Sequence, residues 1–429
     1  MPSSSLNSES GVKHRPAFLA DIYRSDSKIA RFLLVIILHG VSYSLYRGVQ
    51  DNYLAEIIHI TPFERGIVEF LRETPGLCVV LILALMYRFT DSRIFKIGIA
   101  IMAGSAAGVL MTSISPFLMS KFVVVFFMVL YSAGEHIIMP VRSSISMDLA
   151  KKEKSGASLG ITGSLGQLGQ IAGFLIVTLI FLILAKKGLN RTDLFGYRIA
   201  FGLSVALMVA STLVVLALRE TTLKAARQRF YFAKKFTKYY MIETFQGARK
   251  QVFITFAPYV LILHYGADPS VMSALYAVCA IFGMLCSPLI GRLIDKVGYK
   301  FVLVGNGVIL ILICILYGYA HLLFAPAIAF AVVCCNFVLD SVISLGGMAA
   351  NVYVQRISST PEEIPATLST GISVNHIISI LIALLGGWIW KVTGIEVLFA
   401  ISAFLGLVQA IYSMTVKKSE ENQAGVHAA

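Results

Sequence analysis

The stretch Phe122-Val123-Val124-Val125-Phe126-Phe127-Met128-Val129-Leu130-Tyr131 has no polar face, and neither has the stretch from Ile309 to Tyr317. A membrane-crossing strand in a barrel alternates apolar and polar residues with period two, so such runs exclude a barrel and read as helix. The rest of the chain agrees with them. Of 429 residues, 57% are hydrophobic and only 14% charged, a balance that a water-soluble globular chain does not reach. At about 20 apolar residues per crossing helix, this content corresponds to about a dozen spans.

Apolar runs separated by charged or Pro-, Gly- and Asn-bearing breaks predict spans over 31–57, 66–87, 95–113, 117–145, 157–185 and 195–218, then over 239–264, 270–291, 300–321, 324–354, 366–391 and 394–416. The expected fold class is an all-α membrane protein with twelve transmembrane helices in two six-helix bundles. Its expected domains are a tail (1–30), an N-terminal bundle (31–218), a basic linker (219–238), a C-terminal bundle (239–416) and a second tail (417–429). The first 28 residues are polar and Ser-rich, without a short apolar run before a small-residue cleavage site, so the first span is expected to serve as the targeting signal.

Cys78, Cys279, Cys286, Cys314, Cys334 and Cys335 all lie in apolar stretches, with no CxxC or His/Cys ligand spacing, and read as buried small hydrophobes. No cofactor and no metal site is implied. There is no nucleophile elbow, Walker loop or HExxH, and no soluble unit large enough to hydrolyse ATP. An intramembrane enzyme built on Glu135, His136 and Arg142 would leave a twofold repeat without a use, so the expectation is that the chain is not an enzyme.

The net charge of +13 has to be located before it is interpreted. With both termini on one side, 24 of the 36 Lys and Arg fall on that side, and seven (Arg65, Lys121, Lys186, Lys187, Arg191, Arg198, Lys391) fall on the other. Five more, Arg47, Arg72, Arg142, Arg249 and Lys250, sit within spans. This is the positive-inside bias, so both termini and the linker are expected in the cytoplasm, in a plasma (inner) membrane, and nucleic-acid binding is not implied. In the linker, Arg219, Lys224, Arg227, Arg229, Lys234, Lys235 and Lys238 interleave with Phe230, Tyr231, Phe232 and Phe236. Such a segment suits a surface of anionic lipid, where each basic residue is favourable by about 1 kcal/mol.

The two halves repeat. The decapeptide Tyr87–Lys96 follows the second span and Gly291–Lys300 follows the eighth, with Asp91 and Asp295 204 residues apart; Glu135 and Asp340, in the fourth and tenth spans, are 205 apart. A parallel six-plus-six repeat suits a transporter in which one bundle rocks against the other around a central site.

Gly291-x-x-x-Asp295-Lys296-x-Gly298-Tyr299-Lys300 is similar to the loop motif of the major facilitator superfamily of secondary transporters. The first-half copy keeps Asp91 and Lys96, while Tyr87 and Phe95 replace a glycine and a basic residue. With the spans and the basic linker, the resemblance covers nearly the whole chain. It implies a gate made by Asp91, Arg93, Lys96, Gly291, Asp295, Lys296, Gly298 and Lys300, in which an aspartate beside a helix N-terminus locks helix ends in one state and releases them in another. It also implies that Gly160, Gly163, Gly166, Gly169 and Gly173 in the fifth span serve close helix packing. The family default is a monomer.

A charge at mid-bilayer costs about 2.5–3.5 kcal/mol, so those that persist face a cavity or a partner. They concentrate on the first span (Arg47, Gln50, Asp51, Asn52, Glu56), second (Glu69, Arg72, Glu73), fourth (Glu135, His136, Arg142, Asp148) and seventh (Glu243, Gln246, Arg249, Lys250), with Asp340 and Asn351 in the tenth and Asn375 and His376 in the eleventh. In the superfamily the first and fourth helices of each half line the central cavity. The expected substrate-binding residues are therefore Arg47, Asp51, Arg249, Lys250, Asn351, Asn375 and His376.

Arg47 and Arg249 resemble the paired arginines with which organophosphate antiporters clamp a phosphate. The competing reading is that Arg47 is neutralised by Asp51, and Arg249 by Glu243 or Asp340. Glu135, His136, Asp340 and Asp51 are the expected proton-coupling groups, because a desolvated carboxylate and a histidine titrate near neutral pH. The function expected is secondary active transport of a small polar, anionic organic solute by alternating access, coupled to protons or to exchange. The alternative is an exporter of amphiphilic drugs, or a lipid flippase, on the same fold.

Overall fold

In a computed structural model, residues 17–23, 28–86, 88–151, 153–218, 231–360 and 363–416 are described. Tyr87, both tails beyond these limits, and the linker's Arg219, Lys224, Arg227, Arg229 and Phe230 lie outside the described residues.

The described chain is almost wholly helical. Helix α1, Lys28–Asn52, runs on into a π-helical turn, Tyr53–Ile57; α2 is Pro62–Leu85, α3 Asp91–Ile114, α4 Lys121–Leu149, α5 Ser155–Lys186 and α6 Leu194–Leu216. In the second half, α7 is Thr237–Thr255, followed by a short turn and a second π-helical turn, Val260–His264; α8 is Pro269–Val297 and α9 Tyr299–Leu323. Helix α10, Pro326–Ser344, continues through a 3-10 turn into Met348–Ile357; α11 is Glu363–Thr393 and α12 Ile395–Met414.

Helix starts follow local chemistry. Thr61 and Glu64 form a capping box with Pro62 at the first position of α2, and Thr90, Ser120, Asp193 and Asp268 each cap the helix that follows with a side-chain oxygen. Gly298, at φ +84°, makes the tight reversal between α8 and α9 that a side chain would strain.

Among the described residues, ten helices are long and apolar enough to cross a membrane, and large apolar side chains such as Leu81, Phe122, Leu213 and Phe404 project outward from the bundle, so this is an integral, multi-pass membrane protein. The two long helices that miss that measure are α2 and α7, and both are rich in charge: α2 carries Glu64, Arg65, Glu69, Arg72 and Glu73, and α7 carries Glu243, Arg249 and Lys250.

The linker residues nearest α7 pack on the second half itself. Lys235 bonds Glu363 at 2.5 Å, the Tyr231 hydroxyl donates to Glu363 at 3.0 Å, and Phe232 stacks on Tyr240. The Lys235 charge is thus met by protein.

The glycines of α5 divide into two groups. A Cβ built at Gly169 would lie 2.7 Å from the Ile37 carbonyl oxygen of α1, one at Gly173 2.5 Å from that of Val41, and one at Gly40 2.5 Å from the Gly166 oxygen. At Gly160 and Gly163 a Cβ would meet nothing within 4 Å, so these two, expected to serve close packing, make no such contact here. Gly173→Val should therefore destabilise by about 1–3 kcal/mol through overpacking against backbone, whereas Gly160→Val should stay within about 0.5 kcal/mol of wild type. Melting temperatures of the two purified variants decide this.

Candidate functional site

Helix α2 begins at Pro62, which puts Arg65, Glu69, Arg72, Glu73 and Gly76 at three- and four-residue spacing along one stripe that faces inward. The stripe assembles a chain of ion pairs. Arg47 of α1 binds Asp51 at 3.0 Å, and Asp51 also binds Arg65 at 3.2 Å. Arg65 binds Glu69 at 2.6 Å, Glu69 is gripped through both oxygens by Arg72 at 2.6 and 3.0 Å, and Arg72 reaches Glu73 at 3.2 Å. Glu73 in turn meets Nδ1 of His376, on α11, at 3.0 Å. Three arginines alternate with three carboxylates, and Arg65 and Glu69 are wholly buried.

Both ends of this chain reach the second half of the sequence. The Tyr276 hydroxyl of α8 donates to Asp51 at 2.7 Å, the Arg47 guanidinium lies 5.5 Å from the centre of the Tyr276 ring, and Arg65 lies over Tyr259. In the second half, Arg249 of α7 binds Asp340 of α10 at 2.5 Å.

Between these groups lies a cavity of about 410 Å³, lined by Arg47 and Tyr276, by Arg249, Lys250 and Asp340, by Asn375, and by the apolar Phe253, Ile254 and Phe337. Lys250 makes no hydrogen bond and no ion pair among the described residues, unlike both arginines of the lining. On the far side of Arg47, a space the size of one water is enclosed by Tyr43, Tyr46, Gln50, Arg72, Tyr131 and Glu135. Glu135 has neither a hydrogen bond nor an ion pair among the described residues, and the Tyr46 and Tyr131 hydroxyls beside it are also without a partner.

The expected site residues therefore separate. Arg47, Arg249, Lys250, Asp340 and Asn375 line the cavity, Asp51 stands behind Arg47, and His376 faces Glu73. Asn351 is exposed on the continuation of α10 and does not line the cavity. His136 donates to the Ser132 carbonyl oxygen at 2.8 Å and packs edge-on against His376. Each arginine of the expected clamp is held by a carboxylate, as the competing reading had it. Of the expected gate, Asp91 is buried at the start of α3 with Oδ2 unpartnered, while Asp295 and Lys296 are exposed at the end of α8.

Arg65 is the main correction. Placed by its sequence position in a membrane-flanking turn, it is one turn inside α2 and is the centre of the network; its four-residue spacing from Glu69, behind the Thr61–Glu64 capping box, is the signal for that. Tyr276 has no comparable signal, since its partner Asp51 is 225 residues away.

Contacts between residues 28–216 and 237–414 gather toward the end that carries the turns at 58–61 and 265–268. Asn52 donates to the Ala267 carbonyl at 2.9 Å, Ser273 to that of Gly48 at 3.0 Å, and Thr178 to that of Ser270 at 3.3 Å. Arg191 binds both Glu56, at 3.0 Å, and the Gly266 carbonyl. A Cβ at Gly66 of α2 would run into the Ala383 carbonyl of α11. Gln167 still reaches the Ala280 carbonyl between α5 and α8, but beyond it Gly163, Gly160 and Gly291 have open space around them. The cavity is sealed at the first end and the helices part toward the other.

Cys279 lines the cavity and can report on that seal. In a chain retaining Cys279 alone, Arg191→Ala should raise its labelling by an impermeant maleimide applied from the sealed side, by up to about fivefold, the population change that an exposed pair of about 1 kcal/mol can make. Unchanged labelling would mean that the remaining contacts hold the seal without Arg191.

The model of the Major Facilitator Superfamily matches residues 32–359 and 242–427. Among curated proteins no sequence matches the chain. Among solved structures, the nucleoside transporter NupG superposes with a TM-score of 0.68 at 14% identity, covering 91% of this chain and 99% of its own. A D-xylose-proton symporter gives 0.73 at 14%, covering 92% and 99%, and a human organic anion transporter 0.59 at 11%, covering 91% and 100%. The family match, with this largely apolar helical fold enclosing a polar cavity between its two halves, shows that the chain belongs to the major facilitator superfamily of secondary transporters and is not an enzyme.

Proposed function

We propose that the protein carries a small polar, anionic organic solute by alternating access. In this reading α2 and α7 also cross the membrane, giving twelve spans in two bundles, 31–218 and 239–416, and the charges that lower their hydropathy face the path between them. The observation that carries the proposal is Lys250. It is a cation on the cavity wall with no hydrogen bond or ion pair among the described residues, beside Arg47, whose carboxylate Asp51 is shared with Arg65, and Arg249, whose carboxylate is Asp340. With Arg47 and Arg249 each met by a carboxylate, the charge of Lys250 is the one left over on the lining, and a solute anion answers it.

The positive-inside bias supports a cytoplasmic side for the termini, the linker and the parted helix ends, and on that reading the conformation described is open inward. Glu135 is the coupling group on the same reasoning. Among the described residues it makes no ion pair and stands beside a water-sized space and three tyrosines, whereas Asp51 and Asp340 are each held by arginine. The protein works as a monomer in the plasma (inner) membrane, with anionic lipid at the basic linker.

Lys250 is also the sharpest test, because neutralising Arg47 or Arg249 breaks an ion pair as well as removing a charge. Organic phosphates and carboxylates are screened by thermal stability in detergent against wild type and Lys250→Ala. At a hundredfold excess over Kd a ligand stabilises by about 2.7 kcal/mol. The expected result is an anion that raises the melting temperature of wild type and not of Lys250→Ala. Equal stabilisation of both proteins, or stabilisation only by amphiphiles, would refute the anion reading and favour an amphiphile exporter.

A further inference from the structure

Glu73 of α2, His136 of α4 and His376 of α11 offer three ligand atoms that all lie within 4.8 Å of one another. They stand at the junction of the two halves, distinct from the lining of the central cavity apart from the neighbouring Asn375. Their separation in sequence, on three helices, hides the group from any spacing rule.

The protonation pattern can be worked out from the partners. The Ser132 hydroxyl donates its one proton to the Arg72 carbonyl at 2.5 Å, so toward His136 Nδ1, at 3.2 Å, it acts as acceptor. The Ser132 carbonyl, 2.8 Å from the same nitrogen, is likewise an acceptor. Nδ1 of His136 therefore carries the hydrogen, and Nε2 presents a lone pair. This is the arrangement in which a metal-binding histidine is usually held, with its second nitrogen fixed by a carbonyl.

Gly76 leaves room for that nitrogen to reach the junction: a Cβ there would lie 2.6 Å from His136 Nε2 and 3.0 Å from His376 Cε1. Glu73 has one oxygen near Arg72 and the other at His376. Arg72 is itself answered through two bonds by Glu69, and Glu135, next to His136 in sequence, has no ion pair among the described residues to cancel its charge.

We propose that Glu73, His136 and His376 bind a divalent transition ion of the zinc class. Two imidazoles and a carboxylate suit Zn²⁺ and disfavour Mg²⁺ or Ca²⁺, which take oxygen ligands. Because Glu73 and His136 belong to one half of the sequence and His376 to the other, a bound ion fastens the halves in this conformation and arrests the exchange between states that transport needs.

The test uses untagged full-length protein in detergent. Calorimetric titration with Zn²⁺ should show one saturable site, and Zn²⁺ should raise the melting temperature. His136→Gln and His376→Gln should each weaken binding by roughly 10–100-fold or more, the scale on which even an outer-shell partner of a metal acts. His321→Gln, which removes a histidine paired with Glu396 at 3.0 Å elsewhere, should leave it unchanged. Co²⁺ bound to wild type should give the intense visible absorption of a low-coordinate site, a readout that does not depend on a variant folding. No saturable Zn²⁺ binding by wild type, or equal affinity in both histidine variants, would overturn the proposal. Neither outcome decides whether the cavity takes an anion, since Lys250 is not one of the three ligands.

Discussion

The organisation of this protein depends on the cost of an unpaired charge away from water. Removing one partner of a buried ion pair costs about 3–5 kcal/mol, which is comparable to the whole stability of many folds. Arg47, Asp51, Arg65, Glu69, Arg72 and Glu73 meet that cost by alternating in sign along two helices, so that each buried charge has an opposite neighbour within about 3 Å. The arrangement dictates where α2 lies. Its charged stripe can face only inward, toward α1 and α11, while Leu71, Leu77 and Leu81 take the outward positions.

From that balance follows the division of labour in the interior. Charges already satisfied by one another hold the helices together and are poor candidates for binding a cargo that must come and go. Lys250 and Glu135 lie next to the network without joining it, one on the cavity wall and one behind Arg47. His376 and Tyr276 carry the network across to the second half, so that motion of one half against the other has to alter its ends.

Much of this was legible in the sequence. The helix periods and the inward crowding of charge on the first, second, fourth and seventh spans survive in the structure, because apolar length and the cost of exposed backbone leave a membrane chain few options. The fifth helix was legible in part: Gly169 and Gly173 meet α1, whereas whether Gly160 and Gly163 meet anything depends on how far α5 and α8 part. Pairings across the halves were not legible. Nothing in the residues around Asp51 points to Tyr276, and nothing around Glu73 points to His376, since each contact joins helices far apart in the sequence. Arg65 was misplaced because a residue at the first turn of a helix looks, by hydropathy alone, like the loop before it.

The most direct test of the account is a double-mutant cycle on Arg65 and Glu69, read by the stability of the purified protein. Either single neutralisation, Arg65→Met or Glu69→Gln, leaves an odd charge in the buried chain and should cost about 3 kcal/mol. The double variant restores the balance, with Arg47 still on Asp51 and Arg72 still on Glu73. If the network is what the fold depends on, the double variant loses no more than the worse single one, a coupling of at least about 3 kcal/mol. Losses that simply add would contradict the account, showing that Arg65 and Glu69 contribute independently and that charge balance is not the constraint.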